Sequence, residues 1–298
     1  MSESKSLAPD GERMIPEFHK GKLIYGEHIN RYDAITPLCK NKIVLDIASG
    51  SGYGTKMISK EAKKVYGVDV SEEAIQYSKK NFYSKKIDYR KSDGSTIPIG
   101  DNSVDIVVSM ETIEHIEDQE GHLKEIKRVL KPDGIYICST PNDKVYPKGN
   151  HFHVKEHSSK SLDQLLKKYF KVRDFNYQFT DYAVSIIGKE ELEVEFDEKR
   201  RLKKYIRLNS EDCIYFIVVC SNSDKLPKIE SNHTLSEKFS YPYQVEVNEA
   251  LRVGREDSSR VSLMASSLEQ LENELRLIKS SRTYRIRTLI RKLLKLKA

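Results

Sequence analysis

The stretch VLDIASGSGYGT, Val44 to Thr55, most constrains what this chain can fold into. Its branched apolar residues predict a buried strand, and glycines at 50, 52 and 54 predict a tight turn into a helix that starts at Tyr53. A loop of that kind lets a ligand approach the backbone closely. The strand also carries an acid, Asp46, just before the turn.

The same rhythm repeats along the chain. KIVLDIA, KKVYGVDV, IDYRKSD, SVDIVVSM and GIYICST read as strands. Helical patterns fall between them: a helix from Tyr53, one capped by Ser71 and running to about Tyr83, and the amphipathic HLKEIKRVLK. Glu27 to Leu38 precedes them as a further helix, Pro132-Asp133-Gly134 reads as a turn, and Leu162, Leu165, Leu166, Tyr169 and Phe170 mark one more helix. KVRDFNYQF and CIYFIVVC read as the last strands, with a highly charged stretch of roughly 181–211 between them. Apolar runs too continuous for one-sided burial indicate a parallel sheet covered by helices on both faces. The expected fold is α/β, a doubly wound, mostly parallel seven-stranded sheet followed by a C-terminal helical tail.

The acids at the strand ends narrow the ligand. Dinucleotide folds use G-x-G-x-x-G, whereas here the third glycine comes one residue early. A pyrophosphate at a helix N-terminus calls for donors and positive potential, so Asp46 favours a ligand with a cationic head instead. Asp69 ends the next strand, where an acid can accept from both ribose hydroxyls, and Asp93 in the SDG turn can accept from an adenine amine. An adenosine with a positive head and no phosphate describes S-adenosylmethionine.

VLDIASGSGYGT, VYGVDVS, SDG, VDIVVSMETIEHI and LKPDGIYICSTPN, in this order over residues 43–142, resemble the successive motifs of class I S-adenosylmethionine-dependent methyltransferases. One departure is Ala48, which stands where the first glycine of the loop is usual. The resemblance implies a Rossmann-like sheet and a cofactor site of Asp46, Gly50, Ser51, Gly52 and Tyr53 about the methionine part. It places Asp69 at the ribose, Val70, Asp93 and Gly94 about the adenine, and Met110 near the transferred methyl.

METIEHI places Glu111, Glu114 and His115 at i, i+3 and i+4, on one side of the chain if the stretch is helical. Two carboxylates and an imidazole suit a divalent cation such as Mg²⁺, Mn²⁺ or Fe²⁺. The pattern is similar to the metal site of ubiquinone-biosynthesis O-methyltransferases and of small-RNA 2′-O-methyltransferases, in which a later histidine completes the set. HFHVKEH offers His153 for that role, ahead of His151. The competing reading keeps these three as catalytic residues without metal, with His115 as general base and Glu111 fixing the fold or the cofactor.

Net charge separates the body from the tail. The whole chain carries +6, but residues 279–298 contribute eight Lys/Arg and no acid, so the remainder carries −2 and a nucleic-acid partner is not expected. GERMIPE and EHINRY in residues 1–40 resemble methyltransferases of surface-polysaccharide biosynthesis, which implies an N-terminal segment that covers the cofactor with Tyr25, His28 and Arg31 upon it; 41–223 are expected to form the methyltransferase domain and 224–259 a linker. Within 260–298, Val261, Met264, Leu268, Leu271, Leu275 and Ile278 make a short heptad seam that could pair copies of the chain. Ile286, Leu289, Ile290, Leu293 and Leu294 make an apolar stripe in a basic helix, suited to an anionic membrane or a glycan-assembly enzyme. GERMIPE, EHINRY and HFHVKEHS resemble methyltransferases of surface-polysaccharide biosynthesis, which implies a sugar hydroxyl on a surface glycan or its lipid-linked precursor as acceptor. A small-molecule, quinone-type O- or N-methyltransferase and a non-catalytic scaffold are the alternatives. No secretory signal or spanning helix is expected, and the scattered Cys39, Cys138, Cys213 and Cys220 read as reduced core residues, so the expected place is cytoplasmic, peripheral at the inner membrane face.

Overall fold

The computed structural model describes residues 13–20, 22–92, 96–146, 150–180 and 210–230. The expectations for Asp93, Gly94, the heptad seam, the basic helix and most of the linker lie outside these residues. The chain divides into two compact units, Met1–Lys144 with His151–Glu237, and Val145–Asn150 with Lys238–Ala298. The first contains everything described below.

In chain order the elements are α1 (Pro16–His19), α2 (Leu23–Ile35), β1 (Ile43–Ile47), α3 (Tyr53–Ile58), β2 (Lys64–Asp69), α4 (Glu72–Asn81), β3 (Ile87–Lys91) and β4 (Val104–Met110). They continue with α5 (Gln119–Val129), β5 (Leu130–Pro141), α6 (Ser159–Leu166), β6 (Val172–Gln178) and β7 (Tyr215–Ser221). The strands form one seven-stranded sheet in the order β3-β2-β1-β4-β5-β7-β6. β7 runs antiparallel to both its neighbours, and the pairings from β3 to β5 are parallel. The expected doubly wound sheet is therefore observed.

Local chemistry accounts for the helix starts. The side chains of Ser71, Asp118 and Ser158 each accept a backbone N–H in the first turn of α4, α5 and α6. Two apolar layers cover the sheet. One packs Leu123, Ile126, Leu162 and Phe170 on Leu45, Val107 and Val218; the other packs Ile35, Ile58 and Tyr53 on Val44, Ile106 and Ile137. β1, β4 and β7 are buried nearly throughout, as their continuous apolar runs require.

Two local expectations change. Pro132-Asp133-Gly134 is not a turn between elements but an outward bulge inside β5, where the pairing with β4 jumps from Val104–Leu130 to Ile106–Ile135. The helix predicted over Glu27 to Leu38 begins and ends earlier, because Pro37 turns its last residues, Thr36–Cys39, into a 3₁₀ turn. The four cysteines are buried and free, and among the described residues no helix is long and apolar enough to cross a membrane.

Candidate active site

Parallel strands gather their carboxyl ends on one edge, and of the acids singled out in the sequence Asp46, Asp69, Glu111 and Glu114 lie at or just after those ends. The loop after β1 takes left-handed backbone at three alternate positions: Ala48 at φ +54°, Gly50 at +55° and Gly52 at +87°. A Cβ on Gly52 would lie 2.5 Å from Ser78 Oγ, so both conformation and space demand glycine there. Ala48 adopts a glycine-like conformation at the position where the sequence departs from the usual motif.

Asp69 holds this loop. Its Oδ2 accepts from the Gly50 N–H at 2.7 Å and its Oδ1 from the Ser71 N–H at 2.9 Å. Val70, next to it, is 63% exposed, an apolar side chain standing at the mouth. Ser51 and Tyr53 are turned toward the N-terminal segment: Ser51 Oγ donates to the Met14 carbonyl at 2.7 Å, and the Tyr53 hydroxyl shares a 2.8 Å hydrogen bond with His28 Nδ1. Asp46 lies beneath the loop, fully buried. Its oxygens accept from the Thr55 hydroxyl at 2.5 Å and the Tyr32 hydroxyl at 3.1 Å, and burial pushes its pKa up to about 7. The acid expected to face a cationic head is, in this structure, engaged by these two hydroxyls.

Met110 ends β4, buried, and Glu111 follows at φ +48°. That conformation is costly for a non-glycine residue and is held from several sides. The Glu111 N–H donates to Ser139 O and Oγ, and Ser139 Oγ donates to Glu111 Oε1 at 2.6 Å. The expected helical face of Glu111, Glu114 and His115 therefore does not form. Only Ile113–His115 makes a 3₁₀ turn, and Glu111, one step before it, is drawn to β5.

A different trio converges. Single donor atoms of Glu114, His115 and His153 all lie within 4.8 Å of one another. Glu114 is fully buried: its Oε2 accepts from Thr140 at 2.9 Å, while Oε1 has no hydrogen-bond partner among the described residues and lies 3.9 Å from His115 Nε2. Burial, and then the charge of Glu111, push the Glu114 carboxyl well above its ordinary range. His115 Nδ1 donates to the Phe152 carbonyl and His153 Nδ1 to Glu156, each at 2.9 Å. In the neutral rings those bonds leave the lone pair on Nε2. His151 stacks on Phe152 instead, and the buried His157 bonds Gln119 and Ser161.

Arg31 is the site residue whose setting the sequence shows least. It is fully buried on α2, with Nη1 donating to Gln178 at 2.8 Å, lying 4.0 Å from Glu111, and its guanidinium 4.5 Å above the Tyr215 ring. Its Nε and Nη2 have no hydrogen-bond partner among the described residues. Partners from β6 and β7, some 150 residues away, make this setting, so no local pattern could reveal it.

Residues 45–138 match the family model described as a methyltransferase domain. A probable S-adenosylmethionine-dependent methyltransferase of Mycolicibacterium smegmatis is 32% identical over 175 residues, 57% of this chain and 67% of that protein. One of Mycobacterium tuberculosis is 32% identical over 165 residues, 54% of this chain and 60% of its own length. A ubiquinone biosynthesis O-methyltransferase of Cereibacter sphaeroides is 31% identical over 101 residues, 33% of this chain and 41% of that protein. Among solved structures, a SAM-dependent methyltransferase of Thermotoga maritima, described as a possible histamine N-methyltransferase, shares the fold. It is 18% identical, with a TM-score of 0.50 over 67% of this chain and 92% of its own.

Sheet order, glycine loop and acid-lined edge together define the class I methyltransferase architecture. The chain belongs to the S-adenosylmethionine-dependent methyltransferases, and S-adenosylmethionine is its methyl donor.

Proposed function

We propose that this methyltransferase acts on a hydroxyl group, that of a sugar on a surface glycan or its lipid-linked precursor, and that the Glu114, His115 and His153 cluster serves the transfer. The carrying observation is the convergence of donor atoms of Glu114, His115 and His153 within 4.8 Å of one another, where a buried Glu114 oxygen has no hydrogen-bond partner among the described residues. An aliphatic hydroxyl is a poor nucleophile at neutral pH and needs its proton held or removed as the C–O bond forms. His115 Nε2 would take that proton, with Nδ1 held by the Phe152 carbonyl and Glu114 Oε1 3.9 Å from Nε2 to favour the protonated ring.

One carboxylate and two imidazoles also fit a borderline divalent cation such as Mn²⁺ better than Mg²⁺. Such an ion, held by Glu114, His115 and His153 with Glu156 orienting the last, would stabilise alkoxide character on the acceptor. Glu111 then belongs with Ser139 and Arg31 rather than with the ion. Asp69 would take the ribose hydroxyls and Gly50, Gly52 and Asp46 the methionine part. The two unpartnered N–H groups of Arg31 suit the donor's carboxylate.

Transfer of labelled methyl from S-adenosylmethionine to lipid-linked glycan, with and without a chelator, tests both parts. Label that vanishes on chelation and returns with metal supports the acceptor and the ion. Label that survives metal removal assigns His115 as a base without metal. A hydroxyquinone acceptor is the second reading, favoured by the ubiquinone-pathway relative; label there and none in glycan would replace the first.

A further inference from the structure

The edge of the sheet opposite the methyl-transfer site carries a charge concentration that the linear sequence hides. Three short basic runs lie far apart in the chain: Lys40 and Lys42; Lys60, Lys63 and Lys64; Lys85 and Lys86. Each immediately precedes a strand, β1, β2 or β3, and these strands are parallel neighbours, so the runs meet at their amino ends. Backbone bonds tie them together: Asn41 N–H to Glu61 O, Lys63 and Lys64 N–H to Lys42 O, and Val65 N–H to Lys86 O.

The result is seven lysines with one acid, Glu61, in the same runs. All but the half-buried Lys64 are exposed, and none makes an ion pair among the described residues. Of the further acids at this edge, Asp88 pairs with Arg90, and Asp105 pairs with Lys131 while also feeling the charge of Lys42. Between the second and third runs lies a groove of about 470 Å³ lined by Lys63, Lys64, Lys85 and Lys86, with Ile43, Ile87 and the acid Asp88 also in its lining. Tyr83, 67% exposed, stands two residues before Lys85.

We propose that this face is a docking surface for phosphate-bearing lipid headgroups on an anionic membrane. Lysine ammoniums are point charges suited to a diffuse phosphate surface, whereas base reading and stacking call for arginine forks and several open aromatic platforms; here Tyr83 is exposed, but the Tyr66 ring is already covered by Lys64 and Arg90. A tyrosine beside lysines matches the headgroup layer, which is apolar on one side and wet on the other. Docking here turns the glycine loop and the Glu114 cluster away from the bilayer. An acceptor anchored in that membrane must then carry its hydroxyl past the height of the domain, which an extended glycan does and a bilayer-embedded quinone does not. That last step rests on the glycan reading; the docking surface itself does not.

The test is sedimentation of the full chain with vesicles of phosphatidylglycerol and phosphatidylcholine, and with phosphatidylcholine alone, at physiological salt. The variant K40Q/K63Q/K85Q/K86Q should bind anionic vesicles at least tenfold more weakly, since each lysine near such a surface contributes about a fivefold factor. The same four sites changed to arginine should retain binding, and K79Q/K124Q/K160Q/K167Q should bind as the parent does. Affinity for S-adenosylmethionine and methyl transfer in solution should be unchanged in all of them, which keeps this outcome separate from that of the acceptor assay. Parent-like vesicle binding by the first variant would overturn the proposal and leave any binding to residues 260–298. No vesicle binding by the parent, or a loss confined to a single-stranded oligonucleotide probe, would overturn it too.

Discussion

Gly54 is the third glycine of the loop, the one that comes a residue too early for a dinucleotide motif. It is helical, so conformation does not require glycine there. A Cβ at this position would lie 2.1 Å from Cζ of Tyr32 and 2.3 Å from its Cε1. Gly54→Ala should gain about 1 kcal/mol of helix propensity. Against this, the Tyr32 ring must leave a site where it is 4% exposed and packs edge-on against Tyr53 at 5.4 Å. Lost burial costs about 2 kcal/mol, and the aromatic pair about 1 kcal/mol. Removing a hydroxyl donor from the buried Asp46 costs about 1–3 kcal/mol more. The net expectation is destabilisation by roughly 3–5 kcal/mol, summed from those contributions. Urea unfolding followed by far-ultraviolet circular dichroism measures it, since the chain has no tryptophan for fluorescence. With Tyr32 already changed to alanine, the same substitution should cost nothing or stabilise by about 1 kcal/mol. A Gly54→Ala protein as stable as the parent, or an equal cost in both backgrounds, would refute the packing argument.

Asp46, with its pKa raised to about 7 from 3.8, binds its proton more tightly folded than unfolded. Stability should therefore be highest near pH 4 on its account and fall by roughly 2–4 kcal/mol as pH rises through 7. Asp46→Asn should flatten that slope in urea midpoints taken from pH 5 to 8. Glu156→Gln should weaken Mn²⁺ binding by about 10–100-fold through the freed His153 ring, measured by calorimetry, while His151→Ala leaves it unchanged. Ala48→Gly should stabilise the protein by about 1 kcal/mol, because φ +54° is strained for alanine.

The sheet was legible because its buried strands are continuous apolar runs and the glycine loop marks the crossover. The gathering of Asp46 and Asp69 at one edge was legible because β1 and β2 are parallel neighbours, although Asp46 pairs with Gly67 and so lies two residues deeper than Asp69. What could not be read is what side chains do across elements. Periodicity put Glu111 with Glu114 and His115, but the Ser139 hydroxyl on β5 holds Glu111 in a left-handed turn that helical spacing cannot anticipate. The sequence offered His153 ahead of His151 but not what holds its ring, which is Glu156, three residues on. The β5 bulge was mistaken for a turn because Pro-Asp-Gly has the same local chemistry in both. The lysine edge stayed hidden because each run alone is an ordinary solvated loop.

The charges at the carboxyl edge explain why this architecture selects its ligand. Asp46, Asp69 and Glu114 are almost wholly buried, with Glu111 and Glu27 beside them, and Arg31 is the buried cation among them. Glu27 accepts from Thr180 and Tyr215, yet burial still raises its pKa, as it does for Asp46 and Glu114. Hydroxyls of Thr55, Tyr32, Ser139 and Thr140 partly satisfy the acids but supply no positive charge. An edge with this acid excess holds protons until something cationic replaces them. On the reading proposed above, a sulfonium with its ammonium would meet that need at the Asp46 end, and a divalent ion would meet it at Glu114. A pyrophosphate would add to the repulsion, which is the physical reason a glycine loop so near a dinucleotide motif in form serves a different ligand.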